Sequence, residues 1–397
     1  MPVIPLFLIS SLLHAWVGWR IAPALAGFAA FPQAGAFLWA LLVASALLTP
    51  MGLVARRFAG GRMASALTWL GLIFMGLFSS LFVLTLLRDA ALVLVWLASW
   101  MGALAGADGD VAQALLGAFQ TWSAAAVPVL GLGVTGWGFW NARRTARVVR
   151  VDVPIAGLPS ALHGFTVAQI SDIHVGPTIK HAYLARIVAR VNGLSADMVA
   201  ITGDLVDGRV ADLRQHVQPL ALLTSTHGTF FVTGNHEYYS GAHAWIDKLR
   251  RLGLTVLMNE HVVLNHHKAG HGQTTMVVAG VADYSAHHFD KAHQSDAVAA
   301  MRGAPSAAGI RLLLAHQPRS AHAAADAGFD LQLSGHTHGG QFWPWNHFVQ
   351  FQQPFTAGLN KLRDLWVYTN TGTGYWGPPK RLGAPSEITH LRLIPAL

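Results

Sequence analysis

In the first 140 residues only eight side chains are charged: Arg20, Arg56, Arg57, Arg62, Arg88, Asp89, Asp108 and Asp110. The rest is apolar runs, and they restrict the possible folds more than any other feature. A bilayer span needs about 20 apolar residues. Residues 3–19, 33–55, 63–87 and 111–140 provide such runs, and 90–107 is apolar but short. A part of this kind excludes both disorder and a simple soluble enzyme. The first run lacks a positive n-region and the runs recur, so it reads as a retained anchor rather than a cleaved leader. It ends at Trp16, Trp19 and Arg20, an interfacial grouping.

The whole chain has 397 residues, enough for two to three domains, and a net charge of +8 that raises the question of nucleic acid. The distribution of charge answers it. Residues 1–150 hold nine Arg and three Asp, whereas 151–397 hold 18 Lys and Arg against 16 Asp and Glu. The excess flanks the apolar runs and reads as topology signal and headgroup contact. No nucleic-acid partner is expected. Arg56, Arg57 and Arg62 lie in one loop, and Arg143, Arg144, Arg147 and Arg150 come after the last run. Placing both clusters inside requires an even number of crossings between them. This favours four spans over five, with residues 151–397 on the cytoplasmic face. Arg88 and Asp89 then fall at or near the outer surface. Part of 90–107 does not cross independently.

From about residue 151 the pattern changes. Runs at 165–170, 198–201, 229–232, 276–279, 310–314 and 331–333 read as strands. Runs at 183–194, 211–224, 243–252 and 319–327 read as helices between them. The expectation is a membrane-spanning helical part, residues 1–150, followed by a layered α/β domain, residues 151–397.

Polar residues gather just after these strands. They are Asp172 and His174 in Ser171-Asp172-Ile173-His174, then Asp204 and Asp207 in Gly203-Asp204-Leu205-Val206-Asp207-Gly208. Next come Asn235, His236 and Glu237 after Gly234, then His316, and then His336 and His338 in Gly335-His336-Thr337-His338. Residues two apart on an extended segment point the same way, so each D-x-H or H-x-H pair can aim at one place. Ligand sites of open α/β sheets lie at the carboxyl ends of strands. Cysteine is absent, so there is no thiolate ligand or nucleophile. Imidazoles with carboxylates suit Mn, Fe or Zn, and the donors suffice for two ions.

In this order the motifs resemble those of calcineurin-like metallophosphoesterases, and the chain looks most like bacterial membrane-anchored phosphohydrolases. The motifs span about 165–340. The resemblance implies an α/β domain built as a two-sheet β-sandwich flanked by helices. It implies two divalent metal ions, Mn ahead of Fe or Zn, in the inner cell membrane of a bacterium. It implies that Asp172, His174 and His338 hold one ion, that Asn235, His316 and His336 hold the other, and that Asp204 bridges them. A metal-bridging hydroxide would attack phosphorus in line, and His236 would contact a phosphate oxygen and protonate the leaving alcohol. Asp207 and Glu237 are candidates for orienting these ligands.

The aromatic run Phe342, Trp343, Trp345, Phe348, Phe351 and Phe355 suggests a lip for a lipid-linked or amphiphilic phosphoester, or for the bilayer itself. The glycine-rich stretch 370–379 resembles a loop near the metal centre of the family. His261, His266, His267, His271, His287, His288 and His293 fit no strand-end pattern and read as solvated loop residues. The overall expectation is a membrane-bound metal-dependent phosphodiesterase or pyrophosphatase. The rival is a transporter or scaffold with a regulatory phosphoesterase-like domain.

Overall fold

A computed structural model of the chain describes residues 3–26, 31–58, 61–106 and 108–396, without the side chains of Arg56 and Ala103. The Arg56 side chain and residue 107, the end of the short apolar stretch, therefore fall outside the described residues. The chain divides into two units. One comprises residues 1–140 with 377–380, the other 141–376 with 381–397.

The first unit contains α1 (Val3–Leu25), α2 (Ala34–Phe58), α3 (Gly61–Leu104) and the start of α4 (Gly109–Arg143). All four helices are long and apolar enough to cross a membrane. Residues 90–104 of the apolar stretch are not a separate element. They continue α3 without a break through Arg88 and Asp89, since nothing there stops a helix. At 44 residues α3 is roughly 66 Å long, about twice a hydrocarbon core. Its Asp89 is paired: Arg20 donates to both Asp89 oxygens at 2.8 and 3.0 Å. Close packing comes from small residues. A Cβ on Gly52 of α2 would strike the Gly71 backbone of α3.

The second unit is a two-layered sandwich with helices outside. In chain order it has β1 (Arg147–Ile155), β2 (Thr166–Ile170), α5 (His181–Asn192), β3 (Met198–Ile201), α6 (Val210–Leu213) and β4 (Thr229–Phe231). Next are α7 (Asn235–Ser240), α8 (Ala242–Arg251), β5 (Thr255–Val256), β6 (Glu260–Lys268), β7 (Gly272–Gly280) and α9 (Ala297–Met301). The last elements are β8 (Arg311–Leu314), α10 (Ala321–Asp326), β9 (Leu331–Ser334), β10 (Gly358–Leu362), β11 (Leu365–Thr369) and β12 (Glu387–Pro395).

One sheet runs β1-β12-β2-β3-β4-β5 and the other β10-β11-β9-β8-β7-β6. Four adjacent strands of each are parallel: β2, β3, β4 and β5 in the first, β11, β9, β8 and β7 in the second. Period-two alternation builds the layers. On β3, Met198 and Ala200 enter the core between the sheets, while Val199 and Ile201 pack beneath the helices. Because the central strands are buried on both faces, they read as unbroken apolar runs.

All six expected strands are present, though 276–279 is only the end of β7. The expected helix 211–224 is not. Four residues of α6 are followed by a 3₁₀ turn, Gln218–Leu222, opened by Pro219, which has no amide hydrogen to continue an α-helix. His261, His266 and His267 lie on β6 rather than in a loop. Strands β1, β6, β10 and β12 mix polar with apolar residues and carry a weaker pattern.

The parallel strand ends position the motifs, so the β3–β4 region should be stability-critical. Phe231→Ala removes a fully buried ring. It should cost about 3–5 kcal/mol, seen as a lowered unfolding midpoint in detergent. A change below about 1 kcal/mol would contradict the packing described.

Candidate metal centre

Asp172 and His174 come directly after β2, Asp204 and Asp207 after β3, Asn235 and His236 open α7 after β4, His316 lies past β8, and His336 and His338 past β9. Three groups result, one of them His174, Asp207 and His236. Asp172, His174 and His338 offer ligand atoms within 4.8 Å of one another, and so do Asp204, His316 and His336. Between them, Asp204 Oδ2 lies 3.2 Å from His316 Nε2 and 3.9 Å from each of His174 Nε2 and His236 Nε2.

The pairs converge by a route other than the extended alternation expected. Asp172, His174, Asp204, His336 and His338 all have φ between 50° and 70°. Left-handed backbone is uncommon for non-glycine residues and costs of order 1–3 kcal/mol at each position. The turns also part the H-x-H pair, placing His336 in one cluster and His338 in the other. Gly335 permits the close approach, because a Cβ there would strike Ser171 Oγ and Asp172 Oδ2.

Hydrogen bonds fix the imidazoles. His316 Nδ1 donates to the Thr202 carbonyl at 2.7 Å, which turns its Nε2 toward the cluster. Asp207 Oδ1 accepts from Nδ1 of both His174, at 3.1 Å, and His236, at 2.5 Å. Carboxylate–imidazole pairs of this kind hold metal-binding histidines in one tautomer and orientation. Glu237 acts on the backbone instead: its oxygens accept from the amides of Asp204, Leu205, Val206 and Gly234. It thereby ties the turn after β3 to the start of α7.

The electrostatics show what the cluster lacks. Burial pushes Asp172 up, and the Asp204 charge adds to this. Burial and Asp204 likewise push Glu237 up to about 8. Asp204 itself is held well below the carboxylate range, because His316, His236 and His174 outweigh its burial. Burial opposes charge on His236 too, but Asp204 and Asp207 overcome it and push that imidazole up to about 9. Burial and His316 press His336 down to about 3. Burial opposes charge on His316 as well, yet Asp204 and Asp172 raise it well above the usual imidazole range. Buried carboxylates and imidazoles pushed in opposite directions thus crowd one place, a donor set that cations would balance. One further observation fits ions at this place: the buried Asn235 Oδ1 has no hydrogen-bond partner among the described residues.

The sequence reading missed Arg381. It is fully buried and donates to the carbonyls of His338, Thr371, Gly374 and Ala384, and to His338 Nδ1 at 3.0 Å. One arginine thus braces the loop after β9 against the glycine-rich loop. A lone Arg in a proline-rich stretch carries no pattern that could have found it. That glycine-rich loop does line the site, with Thr373 and Gly374 amides donating to the Ser171 and Asp172 carbonyls.

Comparison with known proteins agrees with this geometry. The calcineurin-like phosphoesterase family model matches residues 165–340. A Danio rerio transmembrane protein with metallophosphoesterase domain is 36% identical over 274 residues, 67% of this chain and 62% of that protein. Its Bos taurus namesake is 40% identical over 263 residues, 64% and 59% of the two chains. The chain thus spans about three fifths of the length of these two relatives. A Helicobacter pylori uncharacterized metallophosphoesterase is 36% identical over 267 residues, 66% of this chain and 68% of that protein. With its two-sheet fold, its strand-end motifs and these relatives, the chain belongs to the calcineurin-like phosphoesterase family.

Proposed function

We propose that this protein is a membrane-bound, metal-dependent phosphohydrolase with a dinuclear centre. The observation that carries this is the arrangement around Asp204. Asp204 belongs to one three-residue donor cluster and its Oδ2 lies 3.9 Å from His174 of the other, and the unpartnered Asn235 Oδ1 lies in the turn packed against it. Asp172, His174 and His338 would hold one ion, Asn235, His316 and His336 the other, and Asp204 both. Nitrogen and oxygen donors without sulfur suit Mn²⁺, with Fe or Zn as alternatives. Bound ions would polarise a phosphoryl oxygen and lower the pKa of water.

The protein's own groups do the rest. His236 presents Nε2 toward the clusters while Asp207 holds its Nδ1. Its side chain is 16% exposed, so an incoming phosphoester can reach it. A proton on Nε2 is then placed to pass to the leaving oxygen. Asp207 orients His174 and His236 together, coupling a ligand to the proton donor. Arg381 and Glu237 hold the loops.

The substrate is proposed to be a phosphodiester or pyrophosphate with an apolar part. Exposed aromatic rings border His236: Tyr239 lies 5.1 Å from it and Trp376 6.0 Å, ring to ring. Trp376 is bonded in both directions to Gln341, from which the segment with exposed Trp343, Trp345, Phe348 and Phe351 continues. Such rings favour a lipid headgroup region. The arginines after α4 support a cytoplasmic position for the second unit.

The protein with Mn²⁺ should hydrolyse at least one of a soluble diester, a phospholipid or a nucleotide-linked lipid. No hydrolysis of any, with two ions bound per chain, would sink the enzyme reading. His236→Asn should lower turnover about 10²- to 10⁴-fold with both ions retained by elemental analysis. Loss of an ion would make His236 a ligand instead. The double substitution Trp343→Ser with Trp345→Ser should reduce activity on the lipid substrate and spare the soluble one. Equal loss on both would show that the rings serve packing.

A further inference from the structure

Outside the central clusters, another group of donors converges where α8 meets the segment after β7. His243 of α8, Asp290 and His293 place ligand atoms within 4.8 Å of one another. We propose that these three residues bind a third divalent ion, of the zinc class, which clips the 286–293 segment to α8. Two imidazoles and one carboxylate favour Zn²⁺ over Mg²⁺ or Ca²⁺, and three protein ligands leave one position for water.

The group is built rather than scattered. Asp290 uses Oδ1 to accept the Ala292 amide at 2.9 Å and so cap the 3₁₀ turn Lys291–His293. Its Oδ2 is left toward the histidines, 2.9 Å from His243 Nε2 and 3.9 Å from His293 Nε2. The turn brings His293 back over Asp290 three residues on. Ligands around a tetrahedral ion at about 2.0–2.2 Å stand about 3.4 Å apart, close to the separations found. The far nitrogen of His293 is engaged as well: Nδ1 lies 2.9 Å from the Tyr238 hydroxyl, which reaches Thr233 Oγ1 at 3.4 Å. With Nδ1–H donating to Tyr238 and Tyr238 to Thr233, Nε2 presents its lone pair to an ion. Metal-ligating histidines are oriented in this way. An exposed His–Asp pair adds little stability by itself, and it does not account for the third donor or its oriented ring.

The site bears on the central one through α7. Tyr238 lies on this helix, which opens with Asn235 and His236. An ion at His243, Asp290 and His293 holds the 286–293 segment against it.

The test is zinc stoichiometry and affinity on the full-length protein in detergent, stripped with chelator and titrated with Zn²⁺. His243→Ala alters only an exposed side chain, 73% accessible. It should bind one ion fewer per chain than the unaltered protein. Tyr238→Phe should keep that ion with about 10- to 100-fold weaker binding. Unchanged stoichiometry in His243→Ala, or unchanged affinity in Tyr238→Phe, would overturn the proposal. The result is independent of the central centre. If that centre held no ion, the unaltered protein would still bind one that His243→Ala lacks.

Discussion

The structure of the second unit is organised around one buried carboxylate. Asp204 Oδ1 accepts the His236 amide at 2.8 Å, while Oδ2 faces three imidazoles. A charge buried that deeply is costly unless it is paired and hydrogen-bonded. Each neighbouring turn serves that need. Glu237 ties the Asp204 and Gly234 amides together, and Asp207 pins two of the imidazoles. The sandwich supplies the rigid strands from which these turns leave.

That arrangement comes with backbone strain. Five donor residues sit in left-handed conformation, each of which would relax in an isolated peptide. They persist because the parallel strands before them are locked on both faces by the two core layers. Arg381 adds a brace from far along the chain, satisfying carbonyls that the irregular loops leave without ladder partners. Stability of the sheets and geometry of the site are therefore one problem. A core substitution on β3 or β4 reaches the centre through the turns.

Much of the fold and of the site is legible in the sequence, for physical reasons. Central strands are buried on both sides, so 165–170 and 198–201 stand out as apolar runs, and the polar residues just past their ends are conspicuous. Edge strands such as β6, Glu260–Lys268, are half-solvated, so their histidines resemble loop residues. The helix expected at 211–224 fails on Pro219, where local turn chemistry overrides an apolar pattern. Residues 90–104 join α3 because a lone Arg–Asp pair does not end a helix.

The sequence by itself determined the two-part character, because apolar run length answers directly to bilayer thickness and strand burial to composition. It also determined the identity and order of the donors, since their chemistry resides in the side chains. The tertiary structure decided the backbone route by which those donors meet. Left-handed turns, set by packing rather than by any local motif, send His336 and His338 to different clusters. Long-range hydrogen bonds to Thr202 and Asp207 chose which nitrogen of His316, His174 and His236 faces the clusters. Arg381 and the His243–Asp290–His293 group depend on contacts between distant segments, and no spacing along the chain encodes those.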